Sequence, residues 1–433
     1  MASGRVELAS TGIQDSFITD APQVTFFQKQ FKKHTQFALD TLDNGVDGTP
    51  AFGNRISCVI PRKGDLIKTI FMKVKLSKLY EVAVDQLDHC GCNISGIGGD
   101  ADPQYGYTDS IAHAMIEHAD LIIGGQLVQR ITGEFIEIHS ELFISDSHQE
   151  SLKYTAGKTG TKLGLGPAND TYGTYGNFPR EFIVALPFYF YNNPSLAIPL
   201  CAIDKQEVEV HIKFRPFEEL YVTPVANPLS TAQGSIESVS IPVEYVFLTR
   251  DEIDYIKSQQ TDYVISQLQI ARTSIEANLT KAYYKLNFTN PVKEMFFIVQ
   301  TRDTAKIDKD YYNYSNSDDL SGDHLESINL MFNGEDRISN TIATSSYLRF
   351  IQPMTYHSRT PTRKIYSYSF SLKPENSEPT GQVNMSRIIN QILTLYTKPC
   401  TKVRDVRIYA INYNILRVQH GLAGVIFNEN EAQ

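Results

Sequence analysis

Three stretches of this 433-residue chain carry side chains whose type and spacing could do chemistry. The first is His113-Ala114-Met115-Ile116-Glu117-His118, two imidazoles and a carboxylate close together, similar to the inverted motif by which zinc proteases hold a metal. Its spacing is one residue too long, and the flanking pattern alternates like a strand. Alternation puts His113 and Glu117 on one face and turns His118 away, so a structural or solvated pair is expected. The second is His89-Cys90-Gly91-Cys92, which offers soft donors but no second cysteine pair to close a tetrahedral site. Free thiols in a loop are the expectation. The third is the acidic run Asp303, Asp308, Asp310, Asp318, Asp319 and Asp323, which lacks the glycine and closing glutamate of a calcium loop and reads as solvated.

Nothing else specifies a reaction. There is no phosphate-cradling glycine loop, no Gly-x-Ser-x-Gly elbow and no dinucleotide fingerprint, and Gly96-Ile97-Gly98-Gly99 sits between polar residues. The chain is therefore expected not to be an enzyme, with no catalytic, cofactor-binding or metal residue assigned; carboxylates paired across strands are the one kind of site a sequence hides. Two binding features stand out. Phe26-Phe27-Gln28-Lys29-Gln30-Phe31-Lys32-Lys33-His34 mixes aromatics with cations; it reads first as a segment entering the core with lysine stems along it, and second as a contact for an acidic partner or a lipid layer. Tyr105-Gly106-Tyr107 and Tyr311-Tyr312-Asn313-Tyr314 would suit sugar stacking if exposed, the basis for an alternative reading as a carbohydrate-binding protein.

The elements that must position these residues are strands. With 23 Phe, 24 Tyr and many Val, Ile and Thr, the composition favours pleated surfaces. Period-two alternation recurs: Ile70, Met72, Val74 and Leu76; Val208, Val210, Ile212 and Phe214; Tyr366, Tyr368, Phe370 and Leu372 set between Ser367, Ser369 and Ser371; and Val406, Ile408 and Ala410. Each predicts a half-buried strand with a wet face. Arg62-Lys63-Gly64-Asp65 supplies turn chemistry between two such patterns. The helix signal is Thr249-Arg250-Asp251-Glu252, a capping-box pattern with Ile253 and Ile256 on one side and Asp254 and Lys257 on the other. Gly, Asn, Asp and Tyr-rich stretches at 85–108, 150–177 and 303–323 predict long surface loops.

A weak internal repeat straddles the helix. Leu121-Ile122-Ile123-Gly124-Gly125-Gln126 is echoed by Leu330-Met331-Phe332-Asn333-Gly334-Glu335, and Gln206–Ile212 by Asn390–Tyr396, in the same order. Two copies of one β fold follow, each long enough to bury its own core. A net charge of −9 argues against wrapping nucleic acid, so no direct nucleic-acid contact is expected. Residues 1–17 lack the apolar run of a signal peptide, and nowhere do about 20 apolar residues stand together. The five cysteines, Cys58, Cys90, Cys92, Cys201 and Cys400, are odd in number and scattered, which suits reduced thiols in a cytosolic chain. In such a chain the sequons at Asn93, Asn169, Asn278, Asn287, Asn313 and Asn384 are expected to stay unmodified.

Eight blocks resemble one family, the double jelly-roll major capsid proteins of nucleocytoplasmic large DNA viruses, of the phycodnavirus, iridovirus and marseillevirus type. They are Gly12-Ile13-Gln14-Asp15 leading to Pro22–Phe27; Phe52–Arg55 through Pro61–Ile67; Ile123–Gln126; Leu186-Pro187-Phe188 through Leu196–Leu200 to Glu207-Val208; Tyr245–Leu248; Asn333–Arg337; Tyr368–Pro374 with Ser386-Arg387-Ile388; and Asn412–Arg417 before Gly421–Gly424. The resemblance implies an all-β chain of two tandem eight-stranded jelly rolls joined by a short helical linker. It also implies this division: 1–25 as an N-terminal inner-face segment, 26–248 as the first roll, 249–260 as the linker, and 261–433 as the second roll. The implied function is that of a major capsid protein, a homotrimer forming pseudo-hexagonal capsomers of an icosahedral virion, made and assembled in the host cytoplasm. Implied partners are neighbouring capsomers, minor capsid and penton proteins, and the inner membrane through the N-terminal segment. No cofactor is implied. The three loops find no match, and Phe135 stands where relatives often place other aromatics, which leaves a minor capsid or penton-like paralogue as the alternative.

Overall fold

Alternating branched and aromatic residues build strands across nearly the whole chain. The computed structural model describes residues 3–10, 12–28, 31–79, 105–159, 180–191, 193–222, 232–306, 309–316 and 322–427. They divide into two units, Met1–Gln36 and Phe37–Gln433. The first holds two short helices, α1 (Ser3–Ala9) and α2 (Ile13–Thr19), and an irregular tail. Its apolar side chains Leu8, Ile13, Val24, Phe26, Phe27 and Phe31 are exposed, Phe27 completely. Within this unit, then, the rings of 26–31 form no core of their own.

In the second unit the first half contains β1 (Phe37–Leu42), β2 (Arg55–Val59), β3 (Leu66–Leu76), β4 (Gly106–Tyr107), β5 (Ile116–Ile123), β6 (Gln126–Thr132), β7 (Arg180–Ala185), β8 (Val208–Phe214), β9 (Tyr221–Val222), β10 (Ile236–Ser240) and β11 (Val243–Leu248). The second half contains β12 (Thr261–Ile275), β13 (Lys281–Leu286), β14 (Pro291–Thr301), β15 (Leu325–Phe332), β16 (Glu335–Ile338), β17 (Tyr366–Ser369), β18 (Val383–Asn384), β19 (Gln391–Thr397), β20 (Arg404–Gln419) and β21 (Leu422–Val425). Helices α3 (Ile111–Ala114), α4 (Gly133–Leu142), α5 (Asp146–Thr155), α6 (Arg250–Ser258), α7 (Arg302–Lys306) and α8 (Gln352–Tyr356) lie in the connections.

The named pairings are all antiparallel, and β10 and β11 run as one line along β3, with Ser240 opposite Lys73 and Val243 opposite Ile70. Pro242, which has no N–H to give, breaks that line while its carbonyl still accepts from Phe71. With β10 and β11 counted as one, and the short β4, β9, β18 and β21 set aside, one sheet runs β1, β10/β11, β3, β7 and the other β2, β8, β5, β6. The second half repeats this order with β12, β20, β14, β17 and β13, β19, β15, β16. In each half the strands thus stand first, eighth, third, sixth and second, seventh, fourth, fifth, the strand order of a jelly roll. Both sequence repeats land on equivalent places: Gly124-Gly125 and Asn333-Gly334 turn the fourth strand into the fifth, and the second pair of echoes forms the seventh strands.

Burial follows the alternation where one face meets the core: Val208, Val210, Ile212 and Phe214 are buried while Glu209, His211 and Lys213 are half-buried. In β14 and β20 alternation gives way to continuous burial. Met295, Phe297, Val299, Val406, Ile408 and Ala410 fill the core of the second roll, whereas Phe296, Ile298, Tyr409 and Ile411 join the apolar cluster of the first. The outer face of this sheet is thus covered by the first roll, and sheets buried on both faces read as unbroken apolar runs.

The same crowding corrects several expectations. Ser367, Ser369 and Ser371 do not form a wet face; they are buried beneath residues 347–356, with the Ser369 N–H donating to Gln352 Oε1, while Leu372 is exposed. Thr249 begins α6, and Ile253 and Ile256 lie on its half-buried side, but no side-chain cap forms there. The stretch at 150–177 opens inside α5, and that at 303–323 inside α7, so neither is wholly loop.

Candidate functional site

The structure gathers ionisable groups at the seam between the rolls, around α4. Thr132 starts this helix by accepting a hydrogen bond from the Phe135 N–H at 3.2 Å. Gly133 follows because a Cβ there would stand 2.2 Å from the His113 carbonyl oxygen and 2.3 Å from that of Ile116. Glu134, Glu137 and Glu141 succeed one another at helical spacing, and all three are buried.

Each glutamate meets an arginine from the second roll. Arg407 Nε donates to Glu134 Oε2 at 2.6 Å, and the Tyr409 hydroxyl donates to the same oxygen. Arg363 Nε stands 2.7 Å from Glu137 Oε1, while its Nη2 donates to Asp109 at 2.8 Å and its Nη1 to the Tyr312 carbonyl at 2.8 Å. Arg359 Nη1 lies 3.2 Å from Glu141, which also accepts from the Thr362 N–H at 2.7 Å and hydroxyl at 2.8 Å. From the first roll, Lys158 bridges Glu137 at 3.2 Å and Glu141 at 2.5 Å, and His113 Nδ1 lies 2.7 Å from Glu137.

Burial alone would push these carboxyls up, since desolvation penalises the charged form. Lys158 and Arg363 overcome it, holding Glu137 well below the usual carboxylate range and Glu141 down to about 2. Conversely Glu137 and Asp109 raise Arg363, and Glu134 raises Arg407, each against the penalty of its own burial. Asp109, Glu137 and Glu141 thus face Lys158, Arg359 and Arg363 in equal number, and Glu134 faces Arg407. Such an arrangement holds parts together and has no acid or base left to serve a substrate: its carboxylates are saturated by cations in the interior. Breaking one buried pair costs about 3–5 kcal/mol, because the remaining charge stays buried.

The residues singled out by sequence fall differently. His113 lies in α3, not on a strand, and pairs with Glu137; Glu117 is exposed on β5, and His118 lies 3.9 Å from Asp120. The turn of helix rotates His113 away from the pair it was grouped with. Tyr105, Tyr107, Tyr312 and Tyr314 are buried, the last two at the seam, so they offer no platform for a sugar. His89, Cys90 and Cys92 lie outside the described residues, as do Asp308, Asp318 and Asp319. Asp303 pairs with Lys402 at 3.7 Å and Asp323 lies 3.7 Å from Arg349, so these two acids bind cations of the chain itself. Sequence reasoning missed α4 entirely. Its signal was the Glu134, Glu137, Glu141 spacing behind Thr132-Gly133.

Two family models together match most of the chain: that described as "Major capsid protein N-terminus" at residues 25–249, and that of "Large eukaryotic DNA virus major capsid protein" at residues 252–424. Among curated relatives, the major capsid protein of Pyramimonas orientalis virus is 27% identical over 454 residues, covering 99% of this chain and 100% of the relative. That of Paramecium bursaria Chlorella virus 1 is 26% identical over 476 residues, again covering 99% and 100%. Among solved structures, a chain of the PBCV-1 virus capsid superposes with a TM-score of 0.75 at 23% identity, covering 94% of this chain and 100% of that one. The Faustovirus major capsid protein superposes with a TM-score of 0.69 at 12% identity, covering 94% of each. One model spanning over half the chain, a second taking up the rest, and the doubled strand order place this protein in the major capsid protein family of large eukaryotic DNA viruses.

Proposed function

We propose that this chain forms a homotrimer whose six rolls make a pseudo-hexagonal capsomer, and that such capsomers tile an icosahedral shell. The observation that carries the reading is the repeated strand order, with the two rolls fixed to one another by a buried ionic seam. Three rigid pairs of like rolls supply six similar edges, the number a hexagonal lattice needs, and closed threefold symmetry lets the two rolls carry different contacts. In this reading residues 1–25 form an inner-face segment, 26–248 the first roll, 249–260 the linker and 261–433 the second roll.

The role in the virion is structural. Membership of a structural family makes this chain a shell protein and not an enzyme. Neighbouring capsomers are the expected lateral partners, with minor capsid and penton proteins at special positions and assembly in the host cytoplasm. The exposed Phe26, Phe27 and Phe31, next to Lys32 and Lys33, suit a lipid surface beneath the shell. The net charge of −9 supports a shell that does not touch the genome directly.

Light scattering on the purified chain tests the trimer: the expected mass is three times that of the chain, with six-cornered particles in negative stain. A monomer that persists at micromolar concentration would overturn it.

A further inference from the structure

Within the chain the two rolls meet head to tail. The connection between the fifth and sixth strands of the first roll supplies α4, whose Glu134 meets Arg407 and Tyr409 on the second roll's sheet β12, β20, β14, β17. Phe296, Ile298 and Ile411, on the outer face of that sheet, join the apolar cluster of the first roll. Two different patches thus make the contact, and each has a counterpart in the other roll that this contact leaves uncovered.

The counterpart of α4 lies between the fifth and sixth strands of the second roll. There residues 347–356 are helical, Tyr347–Ile351 as a π turn that α8 continues. This helix buries Leu348 and Gln352, and Leu348 joins the core of its own roll. Phe350, Ile351 and Met354, at helical spacing on its other side, are 44%, 46% and 69% exposed. The counterpart of the covered sheet is the outer face of β1, β10/β11, β3 and β7. Leu39 of β1 stands opposite Val246 of β11, and Val246 opposite Leu66 of β3. By alternation all three turn away from the core that takes Tyr245 and Ile67. Leu39 is 48% exposed, and Ile183, on β7, 43%. Lys68, Lys73 and Lys75 of β3 share this face, but Glu244, Glu181 and Glu237 already hold them at 3.0, 3.1 and 2.7 Å. What the face offers a partner is therefore apolar.

We infer that the partner is a second copy of this chain: helix 347–356 of one copy docks on the β1, β11, β3 face of the next, repeating between chains the step that joins the rolls within one. The inference rests on the trimer reading above and names the surfaces that make the trimer. A head-to-tail contact leaves one patch of each kind free, and a closed ring uses up both. Soluble monomers seldom leave apolar patches open, and here two stand at related places in the two rolls. Residues 347–356 contain no acid to match Glu134, Glu137 and Glu141. Chains therefore join by apolar contact where the rolls of one chain join by charge.

Light scattering and circular dichroism of the full chain test this, with Ile351→Asp and Met354→Asp together on one patch and Leu39→Asp on the other. The wild type should have three chain masses and each variant one, with the far-ultraviolet spectrum unchanged. A wild type of one chain mass would remove the trimer reading itself. A trimeric wild type whose variants stay trimeric would overturn this contact alone. Peroxide oxidation of the wild-type trimer, read by mass spectrometry, gives a check that needs no variant to fold. Met354, open in the single chain, should react as slowly as the buried Met295 and Met385. Oxidation at the rate of an exposed methionine would sink the docking of 347–356.

Discussion

Glu141→Gln tests the ionic seam most directly. Gln keeps the shape and removes a charge that answers Lys158 at 2.5 Å and Arg359 at 3.2 Å. It also turns an amide group toward the Thr362 and Arg363 N–H donors, at 2.7 and 3.3 Å. Stranding buried cations in this way should cost about 3 kcal/mol or more at pH 7. The pH dependence gives a second, independent magnitude. The folded carboxyl sits at about 2, against about 4.3 for an unperturbed glutamate, a gap worth about 3 kcal/mol. Because the folded value is depressed, this stability is complete above the unfolded value and is lost as the pH falls through the folded one. By pH 3 about 2 kcal/mol of it should be gone. Urea unfolding at pH 7 and pH 3 should therefore show the wild type losing about 2 kcal/mol more than Glu141→Gln over that interval. If the two lose stability in parallel, or if the variant costs under about 1 kcal/mol at pH 7, Glu141 is not held as a buried carboxylate by Lys158 and Arg359.

Other substitutions separate further parts of the structure. Gly133→Ala should cost more than about 3 kcal/mol, since its Cβ would meet two backbone carbonyls at 2.2 and 2.3 Å, which a melting curve would register at once. Gly125→Ala and Gly334→Ala have open space around the new Cβ but φ of +80° and +95°, so each should cost only about 1–2 kcal/mol of backbone strain; no change in melting would mean these turns relax. Cys58 is buried, and burial with nearby Asp47 pushes its thiol up to about 11, so it should resist alkylation at pH 8 until the chain unfolds, as mass spectrometry can read. A double-mutant cycle on Glu134→Met and Arg407→Leu should return a coupling of about 3 kcal/mol, the paired change costing about that much less than the two single costs added together.

What could be read in the sequence was whatever a strand decides locally. Ile70, Met72, Val74 and Leu76 alternate because one face of β3 meets a core, and their burial needed no tertiary knowledge. The two hairpin turns were legible for the same reason: positive φ at Gly125 and Gly334 leaves a glycine in the chain whatever surrounds it. Wherever the second roll meets the first, local pattern failed. Ser369 and Tyr312 have the chemistry of exposed positions, yet each is buried, because residues more than ten positions away supply the cover and the partners. Glu134, Glu137 and Glu141 were invisible as a site because their arginine partners arrive from residues 359–407. Only a fold already known in detail would bring those together.

The seam's polarity follows from the demands of a shell. An apolar contact between two sandwiches would be at least as stable, since desolvating several charges offsets much of what their pairing returns. It would also tolerate sliding, because apolar contact is non-directional. The arginine forks remove that tolerance. Arg363 reaches Glu137, Asp109 and the Tyr312 carbonyl at once, each at 2.7–2.8 Å, and a shift of one ångström would leave buried groups unpaired. A protein whose two rolls must each present an edge to a neighbour at a fixed angle gains more from that intolerance than from further stability. Charges buried in the middle of a chain with no reaction to run are best understood as setting that angle.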